Sequence, residues 1–436
     1  MNSYGLVLAG GGAKGAYQIG AWKALKEMGI TFNAIAGTSI GSINGALIAA
    51  DDYEKAHQLW LNISIDKGLR INEELPDPEN LFSKKNWGAL FKEVIKNGGL
   101  DASPAADFVS QYVDETKVRE NGIPFFAVAV QISQGVTPRE ICIDEIPEGT
   151  LTDYLMASSN IPLAVGIGPE GEKYLDGGAY DNIPIMTLKK RGYNRIIILD
   201  ISNLKGLGHT MNTANSQVIH IRPYNTDMLG GFMDLDAEAV EKRIQLGYLD
   251  AKKAFSHLLG NIYYFLPETF RSMAKRYGAD TLVTLEKLGF YLSLDPYKIY
   301  TEDEFLHALK ALYEAEMQRL EEEAGATEES EKESEFDAIR ATFKKIFPQK
   351  NIGNEPSEEL SEEIIAEKES DFDAIRNAIK KHFSQKTAAE DGAEEENVEK
   401  EPEFDYIRNV FKKRFSQKNP LDEFTDAIAV LDNVIL

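Results

Sequence analysis

Near its N-terminus the chain reads Tyr4-Gly-Leu-Val-Leu-Ala-Gly-Gly-Gly-Ala-Lys-Gly15, an apolar run that leads directly into a glycine-rich turn. The run predicts a buried strand over Tyr4–Ala9, and the amphipathic segment after the turn predicts a helix over about Gly15–Met28. A strand, a tight turn and a helix in this order are typical of α/β folds. The turn between them is the first candidate for a functional site.

Further along the chain, short apolar runs continue to alternate with amphipathic segments as far as about residue 225. This alternation predicts an α/β domain over residues 1–225 with a mostly parallel sheet flanked by helices. Residues 52–120 predict a helical insertion in that domain. The remaining strands are predicted at Asn33–Ala36, Pro124–Gln131, Arg195–Asp200 and Gln217–Arg222.

Residues after 225 predict helices first and a repeated tail afterwards. Segments between Ala237 and Glu323 have helical periodicity, from a helix over Ala237–Leu259 to one whose start has Thr301 and Glu304 as a capping box. Residues 226–325 therefore predict a helical region packed on the α/β domain, with a separate helical domain as the alternative. Residues 421–436 predict a final apolar helix.

The tail over residues 326–420 contains one short motif three times, at 334–350, 370–386 and 401–418. Each copy has acids at its start, lysines near its end and an apolar stripe, which predicts a short amphipathic helix. The acidic spacers are too polar to bury a surface and predict flexible linkers. Two roles stay open for these helices: peripheral contact with a membrane, or docking on a protein partner.

The composition excludes several classes of protein. In 436 residues, 71 Asp and Glu outnumber 47 Lys and Arg, and the formal charge is −24. Such a surface repels phosphate backbones, so we expect no nucleic-acid partner. One cysteine, no recognisable signal peptide and no membrane-spanning run favour a cytoplasmic protein, with peripheral membrane contact left open. No cluster of metal ligands has suitable spacing, so we expect neither a metal nor a cofactor.

The glycine turn fits more than one function. Gly10 to Gly15 place G-x-G-x-x-G at a strand-to-helix junction, a pattern typical of dinucleotide binding. That interpretation needs an acidic residue at the end of the second strand, and Asn33-Ala-Ile-Ala-Gly37 has none. A Walker-type phosphate loop fails too, because the Gly-Lys-Ser/Thr sequence is missing. Backbone N–H groups of such a turn can face either a phosphate or a transient oxyanion.

The second strand ends in Gly37-Thr38-Ser39-Ile40-Gly41, a G-x-S-x-G sequence between an apolar run and a helical pattern. This is the context of a nucleophile elbow, in which a strained turn presents the serine and the glycines admit neighbouring chains. Ser39 is therefore the candidate nucleophile. The alternative is a small-residue turn in which Ser39 only caps the helix.

A serine nucleophile needs a base within hydrogen-bond reach. The strongest candidate is Asp176, which two glycines follow directly at the end of a short apolar strand. Its alternative is an ordinary Asp-Gly hairpin turn. Asp181 is a weaker candidate, and a lone histidine within a strand, such as His220, is more often structural.

Together these motifs resemble the patatin-like phospholipase family. The family pattern has a G-G-G-x-[KR]-G loop, a G-x-S-x-G nucleophile and a D-G-[GA] aspartate, which stand here at Gly10–Gly15, Gly37–Gly41 and Asp176–Gly178. The likeness extends to Met156-Ala-Ser-Ser-Asn-Ile-Pro162 and covers about residues 4–225. It implies a patatin-like fold of three layers, with the sheet between helices.

The resemblance implies an acyl hydrolase that acts on phospholipid or other acyl-ester lipids without a cofactor. Ser39 would attack the ester carbonyl, and Asp176 would accept the serine proton. The oxyanion hole would be formed by backbone N–H groups of Gly10, Gly11 and Gly12. The other motif glycines are Gly15, Gly37, Gly41, Gly177 and Gly178.

Two further expectations concern charge. Lys14 holds the family's basic position and is a candidate phosphate contact, whereas a structural or solvated lysine is the alternative. A base that works near neutral pH needs a raised pKa, so we expect Asp176 to be partly buried. The competing function from another class is a nucleotide- or phosphate-binding scaffold, which would use the glycine loop and recruit partners through the tail.

Overall fold

A computed structural model describes residues 3–64, 103–131, 137–159, 166–167, 171–202 and 216–325 of the chain. The predicted tail helices, the predicted apolar helix over 421–436 and the middle of the predicted insertion lie outside the described residues. The chain divides into two units, residues 1–312 and residues 313–436, and in the second unit only residues 313–325 are described.

The first unit is built on a mixed sheet whose central strands are parallel. Its strands are β1 (Ser3–Leu8), β2 (Thr31–Thr38), β3 (Phe125–Gln131), β4 (Thr137–Cys142), β5 (Gly166–Ile167), β6 (Lys173–Asp176), β7 (Arg195–Leu199) and β8 (Gln217–Ile221). They lie in the order β5-β6-β3-β2-β1-β7-β8, with β4 also paired to β3. The path from β3 to β8 is parallel, whereas β4, β5 and β6 pair antiparallel. The predicted α/β class with a mostly parallel sheet is confirmed, and the antiparallel side was not predicted.

Helices connect and follow these strands. Within the α/β part they are α1 (Ala16–Glu27), α2 (Ile40–Ala49), α3 (Tyr53–Asn62), α4 (Ser103–Ser110), α5 (Glu115–Glu120), α6 (Leu151–Ser158) and α7 (Ile185–Lys189). Beyond them come α8 (Ala237–Ala254), α9 (Pro267–Tyr277), α10 (Ala279–Tyr291) and α11 (Glu302–Gly325), with a parallel pair of short strands, β9 (Tyr264–Phe265) and β10 (Ile299–Tyr300). Over the described parts of the chain, no helix is both long enough and apolar enough to cross a membrane.

Two predictions for the later helices can be compared with the structure. The capping box at the start of α11 is confirmed, because the Glu304 N–H donates to Thr301 Oγ1 and the Thr301 N–H donates to the Glu304 carboxylate. The helix predicted to reach Leu259 ends at Ala254 instead. Ser256 has a φ of 60°, a left-handed conformation that a right-handed helix cannot contain.

Side chains of the central strands are buried on both faces of the sheet. Leu6 and Leu8 of β1 belong to the same apolar cluster as residues of α1, α2 and α3. Val7, between them, belongs to a second cluster with Ile185 and Leu188 of α7. Because successive strand residues point to opposite faces, helices cover the sheet from both sides.

Helix α8 packs directly on α1 through two glycines. A Cβ atom at Gly20 would lie 1.7 Å from the carbonyl oxygen of Ile244, and one at Gly247 would lie 1.9 Å from the carbonyl oxygen of Tyr17. The two helix backbones therefore approach at a spacing that only glycine permits. This contact fixes α8 on the helix that begins directly after the glycine loop.

We expect Gly247→Ala to lower the free energy of unfolding by about 1–3 kcal/mol, the usual cost of overpacking, although alanine favours helices. Gly231→Ala is the control, because its Cβ would have its nearest neighbour at 3.6 Å. Urea unfolding followed by circular dichroism measures both variants. Equal stability of the two variants would contradict the close contact between α1 and α8.

Candidate active site

The sequence motifs follow the carboxyl ends of parallel strands, which lie at one edge of the sheet. The register pairs Leu8 of β1 with Gly37 of β2, and Thr38 of β2 with Val128 of β3. The glycine loop after β1 and Ser39 after β2 therefore leave the sheet at the same level. This edge is where open α/β sheets bind their ligands.

Asp176 reaches the same place from a strand that runs in the opposite direction. β2 pairs with the first half of β3 and β6 with the second half, while β4 takes the other side of β3 along most of its length. Thr38 opposes Val128, and Asp176 opposes Ala129. The strands β2 and β6 thus meet end to end, with Ser39 and Asp176 at the junction.

The junction has room only for glycine after Asp176. A Cβ atom at Gly177 would lie 2.0 Å from the carbonyl oxygen of Val128 and 3.1 Å from the methyl group of Thr38. The D-G-G sequence forms a 3-10 turn over Gly177–Ala179, which excludes the alternative of a hairpin turn. The Thr38 hydroxyl donates to the carbonyl oxygen of Asp181 at 2.8 Å and closes the junction.

Ser39 adopts the strained conformation that a nucleophile elbow requires. Its φ is 55° and its ψ is −131°, a region that costs a non-glycine residue about 1–3 kcal/mol. It is the N-cap residue of α2, but its side chain makes no capping hydrogen bond to that helix. The Ser39 side chain lies close enough to the Asp176 carboxylate to help lower the pKa of that group. The structure thus brings together the two residues that the sequence analysis paired.

The motif glycines let three backbone segments converge around Ser39. A Cβ atom at Gly37 would lie 2.2 Å from the carbonyl oxygen of Gly41, and one at Gly41 would lie 2.5 Å from the carbonyl oxygen of Leu8. One at Gly15 would lie 2.7 Å from side-chain atoms of Ile40 and Trp60. Each glycine is therefore explained by packing at the start of α1 or α2.

The carboxyl group of Asp176 is matched to proton transfer near neutral pH. Burial raises its pKa to about 6, although hydrogen bonds with the Ser39 side chain and from the Gly178 N–H act to lower it. The Gly178 N–H donates to Oδ1 at 2.7 Å. The carboxylate is therefore ionised at pH 7 but a stronger base than a free aspartate.

The N–H groups of the glycine loop differ in whether a backbone carbonyl accepts a hydrogen bond from them. The Gly10 N–H donates to the carbonyl oxygen of Asn182 at 3.2 Å, and the Ala13 N–H donates to that of Phe232 at 2.7 Å. The N–H groups of Gly11 and Gly12 have no such acceptor among the residues that the structure describes. The prediction assigned Gly10, Gly11 and Gly12 alike to an oxyanion hole, and the hydrogen bond of Gly10 removes its N–H from that set.

Two polar residues of the site were not assigned a role from the sequence. Asn182 is buried and donates from its side chain to the carbonyl oxygen of Gly10 at 3.2 Å. Ser158 accepts the Ser39 N–H at 3.1 Å and donates to the carbonyl oxygen of Val128 at 2.6 Å. Their positions in the sequence could have pointed to them. Asn182 closely follows the D-G-G motif, and Ser158 lies in the segment Met156–Pro162 that the resemblance included.

A network of buried side-chain hydrogen bonds supports the glycine loop. Gln18 donates from Nε2 to the carbonyl oxygens of Ala9 and Leu199, and its Oε1 accepts from Asn44. The Trp60 indole N–H donates to Asn44 Oδ1 at 3.0 Å. The network connects α1, α2 and α3 to the strand ends, so the glycine loop and the elbow are held by one set of hydrogen bonds.

The weaker candidates have other partners. His220 Nε2 lies 2.9 Å from Asp200 Oδ2. Burial acts to raise the pKa of Asp200, but hydrogen bonds from His220 and Ser202 bring it below its usual value. Asp181 accepts the Ile183 N–H through Oδ1 and shapes the turn after the D-G-G motif.

Lys14, the candidate phosphate contact, is 8% exposed. Burial lowers its pKa, as does the charge of Arg243, while Asp227 acts to raise it. This position fits a structural charge. Within the described residues, no group of three or more His, Cys, Asp or Glu side chains could hold a metal ion.

The comparison with protein families concerns the N-terminal part of the chain. The family model described as "Patatin-like phospholipase" matches residues 6–189, a segment that includes the glycine loop, Ser39 and Asp176. The family consists of hydrolases that act on lipid esters. Residues 6–189 therefore match the model of the family that the motifs resemble.

Curated relatives match about half of the chain. A patatin-like phospholipase domain-containing protein of Caenorhabditis elegans is 30% identical over 214 residues, which are 47% of this chain and 14% of that protein. The lysophospholipase NTE1 of Candida glabrata is 29% identical over 204 residues, 46% of this chain and 10% of that protein. The matched region is thus a small part of each relative. Among solved structures, VipD from Legionella pneumophila has 15% identity and a TM-score of 0.37, with 80% of this chain and 81% of that chain covered.

We expect Asp176→Asn to stabilise the fold at pH 8 by up to about 3 kcal/mol, because a neutral amide avoids the cost of a buried charge. A carboxyl whose pKa rises to about 6 on folding contributes its full stability below pH 4 and loses that contribution as the pH rises through 6. The gain should therefore shrink between pH 6 and pH 4. Urea unfolding at several pH values measures it, with Asp144→Asn at an exposed carboxylate as the control. A pH-independent difference would contradict the raised pKa.

Proposed function

We propose that the chain is a serine lipid acyl hydrolase of the phospholipase or lysophospholipase type, with Ser39 as nucleophile and Asp176 as proton acceptor. The observation that supports this most strongly is that β2 and β6 meet so that the Ser39 side chain interacts with the Asp176 carboxylate, whose pKa burial raises to about 6. A serine hydroxyl attacks esters only when a base removes its proton. Asp176 is that base in the proposal, and no histidine is required.

The first half of the reaction forms an acyl-enzyme. Ser39 Oγ attacks the ester carbonyl while its proton passes to Asp176. The negative charge of the tetrahedral intermediate accepts hydrogen bonds from the N–H groups of Gly11 and Gly12. The intermediate then expels the alcohol part of the lipid, which takes the proton from Asp176.

The second half releases the acyl group. Asp176 removes a proton from a water molecule, and the resulting hydroxide attacks the carbonyl carbon of the acyl-enzyme. The same N–H groups stabilise the second oxyanion. Ser39 leaves with the proton that Asp176 held, and the products are a carboxylic acid and the free enzyme.

The oxyanion hole supplies a large part of the expected rate. Loss of one preorganised N–H donor commonly costs about 10²–10³ in kcat. Gly12 has a φ of 58°, a left-handed backbone conformation that favours glycine in the loop. The 3-10 turn over Gly12–Gly15 then leads into α1, whose N-terminal dipole adds to the field at the loop.

The substrate class is inferred from the relatives and from the site. The names of the matched relatives include phospholipase and lysophospholipase activities. A neutral lipid ester and a phospholipid place the same carbonyl carbon at Ser39, so the proposal covers acyl-ester lipids generally. Membrane contact or partner docking by the predicted tail helices stays a prediction.

A phosphate-binding scaffold is the alternative function. It would use the glycine loop, but it gives no role to the strain at Ser39 or to the interaction of its side chain with Asp176. Both features have a direct role in acyl transfer. The hydrolase is therefore the better account of the site.

Covalent labelling tests the nucleophile. We expect a fluorophosphonate probe to modify Ser39 in the wild-type protein, because the probe traps an activated serine as a stable adduct. Ser39→Ala should abolish labelling, and Ser42→Ala, which removes a neighbouring hydroxyl, should leave Ser39 labelled. Mass spectrometry of the modified peptide identifies the residue. Labelling that persists in Ser39→Ala would contradict the assignment.

The pH dependence of hydrolysis tests the base. Since Asp176 must be ionised and its pKa is about 6, kcat/KM for a short-chain fluorogenic ester should fall about tenfold per pH unit below pH 6. Asp176→Asn should lower kcat by about 10³-fold or more, whereas His220→Ala should retain activity wherever it folds. A loss specific to His220→Ala, with Asp176→Asn active, would identify a histidine-based mechanism instead.

A further inference from the structure

The glycine loop is covered by a segment from outside the matched family region. Residues 225–234, here named the Phe232 segment, follow β8 and precede α8. The Phe232 carbonyl oxygen accepts the Ala13 N–H at 2.7 Å. A Cβ atom at Gly12 would lie 2.4 Å from that oxygen and 2.8 Å from the Phe232 ring. The position of the Phe232 segment therefore determines the conformation available to Gly12 and Ala13.

One buried arginine holds this segment on both sides of Phe232. Arg243 of α8 is 2% exposed. Its Nε donates to the carbonyl oxygen of Leu229 at 2.6 Å, and its Nη1 donates to that of Asp234 at 2.5 Å. Its Nη2 forms an ion pair with the Asp234 carboxylate at 2.5 Å. Three donors of one planar group thus fix the chain before and after the residue that contacts the glycine loop.

The backbone of the Phe232 segment is shaped around this guanidinium. Gly230 has a φ of 65°, and a Cβ atom there would lie 2.8 Å from Arg243 Nη2 and 2.8 Å from the Asp234 carboxylate. Any other residue would displace one partner of the ion pair. The arginine is therefore part of the segment's folded conformation.

Arg243 lies on α8, which packs against α1, the helix that begins directly after the glycine loop. The close contact of Gly247 with Tyr17 fixes α8 on α1, and Arg243 lies one helical turn before Gly247. The loop is consequently held from two directions: α1 continues it, and α8 reaches it through Arg243 and Phe232. A guanidinium has a fixed planar set of donors, which lysine cannot reproduce.

We propose that Arg243 is a positioning residue for the oxyanion hole, acting on Gly11 and Gly12 through the Phe232 segment. The inference rests on the proposed function, since it concerns the same N–H donors. Arg243 touches neither substrate nor the reacting atoms. Its effect is to keep the donors aimed at the oxyanion, and a misplacement of about 1 Å can cost 10²-fold in rate.

The test compares Arg243→Lys and Asp234→Asn with the wild-type full chain. Arg191→Lys is the matched control, because Arg191 also bonds a carboxylate, Glu140, and a backbone carbonyl, that of Thr187. Hydrogen–deuterium exchange of peptides covering residues 9–16 reports the protection of the loop amides without reference to activity. Kinetics on a short-chain fluorogenic ester give kcat and KM separately.

Both variants should speed exchange of the loop amides and lower kcat, by about tenfold or more for Arg243→Lys, with KM within about twofold. Arg191→Lys should change neither. If Arg243→Lys fails to fold, Asp234→Asn decides the test, because the Asp234 side chain is 39% exposed and the substitution keeps its size.

Unchanged exchange in the folded variants would overturn the proposal, and so would faster exchange with unchanged kcat. An inactive wild-type enzyme would contradict the proposed function instead. In that case, the exchange result still decides whether Arg243 holds the loop.

Discussion

The site depends on two strands that end against each other on one side of β3. β2 ends at Thr38 and β6 ends at Asp176, and these residues oppose neighbouring positions of β3. The meeting of the strands leaves no volume for a side chain at Gly177. Parallel topology alone would bring the glycine loop and Ser39 to one edge. The Asp176 carboxylate reaches the same edge because β6 runs antiparallel to β3.

The surroundings of this junction compensate for two unfavourable features of the site, the strained backbone of Ser39 and the buried carboxylate of Asp176. A serine at positive φ and a carboxylate removed from water are both unfavourable by themselves. Each is compensated by a neighbour: Ser158 accepts the Ser39 N–H, and the Gly178 N–H donates to Asp176. The Gln18 and Asn44 amides hold the elements around them. The strain is therefore fixed by hydrogen bonds whose loss would release it.

Much of this could be predicted from the sequence, because apolar runs and glycine motifs carry local signals. The predicted strands corresponding to β1, β2, β3, β7 and β8 are all present, and the two residues paired as nucleophile and base follow or end strands that meet beside β3. The antiparallel pairing of β6 was not predictable, because the alternation of side chains identifies a strand but not its direction relative to its neighbour. Asn182 and Arg243 were missed for another reason. Both donate to backbone carbonyls that only the folded chain brings near them, and Arg243 also pairs with the Asp234 carboxylate.

Because β6 is short, it can separate from β3 before the rest of the sheet unfolds. The strand pairs with β3 through Tyr174, Leu175 and Asp176, a small contact compared with the long central pairs. Breaking it costs less free energy than melting the sheet, since local openings span the range from almost nothing to the global value. On warming, the carboxylate would part from the serine while the core stays intact. Heat inactivation of such a protein would therefore begin as a local, reversible event well below its melting temperature.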